Sequence, residues 1–183
     1  MKNHLAKVSI LLLMLVFCSG VEGNKVAMMS VNKPESERME SLFRAVIPLD
    51  DEYIIYTKVP RGLIVSVNEQ LFFDRGAIKI RQSSLPVLDS IISVFKTLDT
   101  YCIIEGHSDK DGVDDSAYQA NWELTIARSS NIVQYFIRCG GVDPDKVFGV
   151  GFGEFMPFRD NVSQTGNMDN RIDFVFIDYE ARR

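Results

Sequence analysis

Apolar positions along this chain change period several times, and each change predicts an element. In "ESERMESLFRAVIP" the apolar residues Met39, Leu42, Phe43 and Val46 recur at i, i+3, i+4 and i+7, which predicts a short amphipathic helix closed by Pro48. "EYIIYTKV" and "GLIVSVNEQLFF" are rich in β-branched and aromatic residues, with Leu63, Val65 and Val67 alternating onto one face, and they predict two strands punctuated by Gly62. "SSLPVLDSIISVFKTLD" returns to helical spacing, with a stripe of Leu85, Leu88, Ile91, Ile92, Phe95 and Leu98 behind an N-cap at Ser83 or Ser84. "YCIIEGH" predicts a strand. "YQANWELTIARSSNIVQYFIRCGG" predicts a long helix stopped at Gly140–Gly141. "KVFGVGFG" and "RIDFVFIDY" predict the last two strands. Ile172, Phe174 and Phe176 alternate with Val175 and Ile177, so both faces of the final strand are apolar and it belongs inside the sheet.

Strands alternating with helices, then strands together, give an α+β fold: a two-layer βαβαββ-type sandwich with helices packed on a mixed sheet. Its elements occupy residues 53–180. Residues 24–52 form a polar leader carrying the short helix. Residues 1–23 differ from the rest, with Lys2 and Lys7 around the start, the eleven-residue apolar run "VSILLLMLVFC", and the small, polar "SGVEG". That order is the pattern of a secretory signal peptide. As a helix the run would rise about 16 Å, against roughly 30 Å of bilayer core, which disfavours a spanning anchor. Lipid attachment at Cys18 stays open as a further reading, although the bulky Phe17 precedes it.

The 183-residue chain carries a formal charge of −5. Losing residues 1–23 removes Lys2, Lys7 and Glu22 and makes the balance slightly more acidic, so no basic footprint for nucleic acid exists. Cys102 and Cys139 would remain. Helices running back antiparallel to their preceding strands bring the start of "YCIIEGH" near the end of the long helix, so these thiols could bridge in an oxidising compartment; two separate buried thiols are an equal alternative.

The same geometry carries Asp109, in "EGHSDKDG", towards the start of the long helix. Asn121, Thr125 and Arg128 share one stripe of that helix at i, i+4 and i+7. A carboxylate and a fork-shaped guanidinium on one rim suit a zwitterion, the first gripping an ammonium and the second a carboxylate. From spacing alone, Asp109 and Arg128 pairing with each other is the simpler reading. With both on the rim, either could be removed without loss of the fold. His107 suits packing or support. No second histidine outside the leader, nucleophile elbow, HExxH, paired-cysteine motif or phosphate loop is present, so neither an enzyme nor a cofactor is expected. "GVGFGEF" imitates a dinucleotide loop but opens no helix.

"IEGHSD", "NWELTIARS", "VDPDKVFGVGFGEFMP", Asp160-Asn161 and Asn170-Arg171 fall in one order. This combination resembles the OmpA-like peptidoglycan-binding domain, and "NWEL" resembles the subgroup found in the flagellar stator subunit MotB. The resemblance covers residues 53–180. It implies non-covalent binding of peptidoglycan through the diaminopimelate of the stem peptide. By the same resemblance Asp109 takes the ligand's ammonium and Arg128 its carboxylate, Asp74 matches the acidic residue after the first strand, and Asn121, Thr125 and Arg171 line or close the pocket. The chain departs from the family at Ile172, where a second arginine is usual, and at Asn167, where Gly-Arg is usual. The implied location is the periplasm or cell envelope, with outer-membrane association open. The alternative function is a component of a MotB-like or secretion machine, with envelope proteins as partners and this domain as the anchor.

Overall fold

The computed structural model describes residues 35–47, 49, 52–60, 62–110, 118–158 and 168–177. The leader, Cys18 and the positions around Asn161 and Asn167 lie outside the described residues. The compact unit begins at Glu35. Its elements are α1 (Glu35–Val46), β1 (Ile54–Val59), β2 (Gly62–Asn68), α2 (Leu85–Phe95), β3 (Tyr101–His107), α3 (Asn121–Arg138), β4 (Val147–Gly153) and β5 (Arg171–Ile177). No helix among the described residues is long and apolar enough to cross a membrane.

The five strands run in the order β1-β2-β5-β3-β4. Only β3 and β4 are parallel; β1–β2, β2–β5 and β3–β5 are antiparallel, so the sheet is mixed. The last strand enters the middle of the sheet, as its two apolar faces require. Ile172, Phe174 and Phe176 point into the helix-covered core, where Phe176 meets Phe43 at 4.6 Å between ring centroids and Phe174 stacks on Phe136 at 5.9 Å. Each such burial contributes about 1.5–3 kcal/mol. Met39 and Phe43 of α1 are buried in this same core, so α1 is part of the domain's packing.

Helix α3 lies unusually close to β3 and β4, and glycine makes this approach possible. A Cβ on Gly151 would sit 2.4 Å from Ile126 N, and one on Gly106 would sit 2.5 Å from the Thr125 carbonyl oxygen. The glycines of "GVGFG" therefore serve helix–sheet packing rather than phosphate binding.

Three sequence expectations are corrected here. The strand expected through "NEQLFF" stops at Asn68, whose side chain accepts a hydrogen bond from Gln70 N at 3.0 Å and turns the chain into a 3₁₀ helix, Glu69–Leu71. Ser84 precedes α2 but does not cap it: its backbone is already helical and its hydroxyl donates to the Arg81 carbonyl at 2.7 Å. The two thiols are free. Cys102 is enclosed in the core, whereas Cys139 follows the last turn of α3 and is exposed.

Candidate functional site

The chain turns that follow β2 and β3, and the turn that leads into β5, meet at one end of the sheet, because Asn68 and His107 both register with Arg171. Between them opens a cleft of about 810 Å³, with Glu69, Phe73, Arg75, Arg81, Asp109 and Asn170 among its lining residues. Asp109 is fixed there at two points. Its backbone N–H donates to Asn170 Oδ1 at 2.9 Å, and its Oδ2 accepts from Asn170 Nδ2 at 2.5 Å.

Of the six residues expected at the site, Asp109 is the one that lines this cleft; the other five act around it. Asn121 Nδ2 donates to the carbonyls of Asp109 (3.1 Å) and Lys110 (3.2 Å) and to Glu154 Oε2 (2.7 Å), tying the post-β3 loop to the turn after β4. Thr125 is buried, and its hydroxyl accepts from Gly153 N at 3.0 Å. Arg171 is buried too, with Nε donating to both oxygens of Asp173 and Nη1 and Nη2 donating to the Met168 and Met156 carbonyls. The Asp74 side chain is 73% exposed and pairs with Arg81 at 2.6 Å.

Arg128 departs furthest from the expected geometry. It is not a rim residue: it is 1% exposed. Its Nη1 donates to Glu69 Oε2, its Nε to the Ala77 carbonyl at 2.9 Å and its Nη2 to the Asp74 carbonyl at 3.3 Å, with the guanidinium over the Phe73 ring at 5.1 Å. The reason is helical phase. Arg128 falls between Leu124 and Ile132 on the inward face of α3, so the stripe it shares with Asn121 and Thr125 points into the fold. Arg128 and Asp109 therefore do not pair; each has another partner.

Glu69 is the residue the sequence reading missed. It lines the cleft, yet burial and the nearby Asp109 charge raise its pKa, against the lowering effect of Arg128. The signal was Asn68, a turn former within an apolar run.

Below the cleft, on the sheet face away from the helices, lies a second polar cluster. His107 is buried and stacks on Phe152 at 5.2 Å. Its Nε2 lies 3.2 Å from Asp173 Oδ2 and 3.6 Å from Glu105 Oε2. These three donors lie close enough together to coordinate a cation, but Arg171 already supplies positive charge to Asp173. Burial favours the neutral imidazole, but the Asp173 and Glu105 carboxylates outweigh it and raise the His107 pKa. A histidine whose folded pKa is raised stabilises the fold fully below its unfolded value, and that contribution disappears as pH rises through the folded value. Melting temperature should therefore fall as pH rises from below about 6.5 through the raised pKa, and His107→Gln should flatten that slope. An unchanged slope in the variant would show that another group controls it.

Motility protein B of Bacillus subtilis is 29% identical over 122 residues, which is 66% of this chain and 47% of that protein. Protein YtxE of the same organism is 29% identical over 111 residues, 61% of this chain and 46% of its own length. The chain thus spans about half the length of the curated relatives it matches. A putative MotB-like protein from Desulfovibrio vulgaris superposes with a TM-score of 0.66 at 22% identity, covering 78% of this chain and 88% of that one. The cell wall anchor of the T6SS from Pseudomonas aeruginosa superposes with a TM-score of 0.63 at 15% identity, covering 79% and 97%. These structures share the fold. The model of the OmpA family matches residues 72–171, from the buried Phe72 to the Arg171 that opens β5, and the chain belongs to the OmpA family.

Proposed function

We propose that this chain is an exported, non-enzymatic module that binds peptidoglycan without covalent attachment and anchors itself to the cell wall. The cleft takes the diaminopimelate of the stem peptide, with Asp109 as acceptor for its ammonium. The observation that carries this reading is the placement of the Asp109 carboxylate in an open cleft, held in one orientation by Asn170. Asn121, Thr125 and Arg171 support the loops that frame it. Arg128 backs Glu69 and the 74–77 turn. Family membership supports anchoring in the cell envelope in general, and the periplasm is the location it fits. Pulldown with purified sacculi tests the reading: the protein should be retained, and release of soluble protein into the supernatant at all concentrations would overturn it.

Anchoring of a larger envelope assembly is compatible with the same cleft, and the likeness to a T6SS cell wall anchor favours keeping it in view. Crosslinking in cells separates the two, since a self-sufficient module yields wall fragments alone and an assembly component yields partner proteins too. Both require export. Intact-mass measurement of protein recovered from cells should place the N-terminus near Val21 or Asn24; a diacylglyceryl mass on Cys18 would instead mark a lipoprotein.

A further inference from the structure

We propose that the open edge of β4, with the flank of α3 beside it, takes up an extended peptide from a partner protein as an added strand. The incoming segment runs antiparallel to β4, alternates apolar and small polar side chains, and carries a basic residue at its amino end. This surface is separate from the cleft and does not depend on the wall-binding reading.

The two edges of the sheet are protected differently. β1 carries Lys58 and is followed by Pro60, and a charge and a proline both discourage further pairing. β4, at the opposite edge, reads VFGVGFG and has neither. Among the described residues its strand partner is β3 alone. Gly149 and Gly151 are only half-buried although α3 presses on them from the core side, and the exposure of a glycine is that of its backbone. Backbone groups on the side of β4 away from β3 are therefore open to a further strand. On the sheet face away from the helices Phe148 is 48% exposed and stacks on Tyr101 at 6.4 Å, which gives such a strand an apolar side chain to pack against.

The flank of α3 adds selectivity. A Cβ on Gly153 would lie 2.7 Å from Trp122 N, and one on Gly151 2.4 Å from Ile126 N, so both residues stand directly over β4. Trp122 is half-exposed, and with Tyr118, Ile126, Ala127 and Ser130 it lines a hollow of about 430 Å³. Main-chain pairing would supply affinity and this hollow a seat for an apolar side chain. Glu123 is the one charged residue among the described residues lining the hollow, and Glu154 follows the last residue of β4. Both acids lie at the carboxyl end of β4, which meets the amino end of an antiparallel partner, so a lysine or arginine there finds complementary charge. A second copy of this chain does not fit in the same way. With the two sheets continuous and the helices on one face, its α3 would lie over a strand about 4.8 Å away. Packed helices need roughly 8–10 Å between axes. A bare strand brings no helix.

The probe is the synthetic peptide Ac-KVTVTVT-NH2, titrated into the isotope-labelled chain and followed by NMR. The amides of residues 148–152 should shift saturably and exchange more slowly with solvent, while those of β1 stay unmoved. Two further peptides carry N-methyl groups on all the valines or on all the threonines. Successive N–H groups of a strand point to opposite sides, so only one of these peptides loses the donors that face β4. That one should bind more than roughly tenfold more weakly, and the other within about twofold of the parent. Trp122→Ala should weaken the parent peptide by about two- to tenfold, as for a lost aromatic contact. If that variant fails to fold, the methylated pair on wild type still decides the matter. Equal binding of the two methylated peptides would overturn the assignment, and so would the lack of any shift at millimolar peptide. Shifts at β1, or at Asp109 and Asn170 instead of β4, would overturn it too. A β4 shift that follows chain concentration without peptide would make a second copy the occupant and equally overturn it.

Discussion

Arg128→Ala is expected to unfold more easily than any other single change at the site. The substitution removes the partner of a Glu69 carboxylate that is nearly enclosed, together with bonds to the Ala77 and Asp74 carbonyls and the contact with Phe73. Breaking a buried pair by deleting one partner costs about 3–5 kcal/mol, because the remaining charge is left desolvated and unpaired. At roughly 2–4 °C per kcal/mol for a domain of this size, the melting temperature should drop on the order of 10 °C. Glu69→Gln should cost much less, since the amide oxygen still accepts from Arg128. Thermal melts followed by circular dichroism check this directly. An Arg128→Ala protein melting within a degree or two of wild type would mean that the guanidinium is not part of the packed interior. The consequence for binding experiments is practical: loss of wall binding in Arg128→Ala cannot be assigned to ligand contact unless folding is measured alongside.

Asp109→Ala carries the largest expected effect on binding. Asp109 is half-buried in a loop, and the hydrogen bond from its backbone N–H to Asn170 survives the substitution, so stability should change little. Binding should not survive. A charge-assisted hydrogen bond is worth about 1.5–3 kcal/mol, and losing it leaves the ligand ammonium facing the cleft without its principal acceptor. Sacculus affinity should fall by roughly tenfold to more than a hundredfold. Cosedimentation with sacculi over a concentration series measures it, and a folded Asp109→Ala protein that binds like wild type would remove Asp109 from the site.

The fold was readable where periodicity and burial coincide. Alternating Ile172, Phe174 and Phe176 against Val175 and Ile177 placed the final strand inside the sheet, and β5 is its middle strand. The helical stripe of Asn121, Thr125 and Arg128 was also readable, and so was the convergence of α3 with the loop of Asp109. What periodicity could not supply was the direction of that stripe, because polar residues on a helix suggest a solvent-facing side unless their buried partners are known. Glu69 is the partner that turns Arg128 inward, and it lay hidden in "NEQLFF", where β-propensity favours a strand and the single Asn68 side-chain bond ends it. Asp74 was legible as a loop acid but not as the companion of Arg81. The thiols show the same limit: antiparallel packing brought two elements together without determining that Cys102 points inward and Cys139 outward.

Binding of the wall peptide in this cleft is tested by an NMR titration of the folded chain with the soluble diaminopimelate stem peptide. Saturable shifts are expected at the amides of Asp109, Asn170, Glu69 and Phe73, which surround the cleft, with the Phe148 edge of β4 unmoved. Shifts confined to other surfaces, or none at concentrations where sacculi retain the protein, would contradict it.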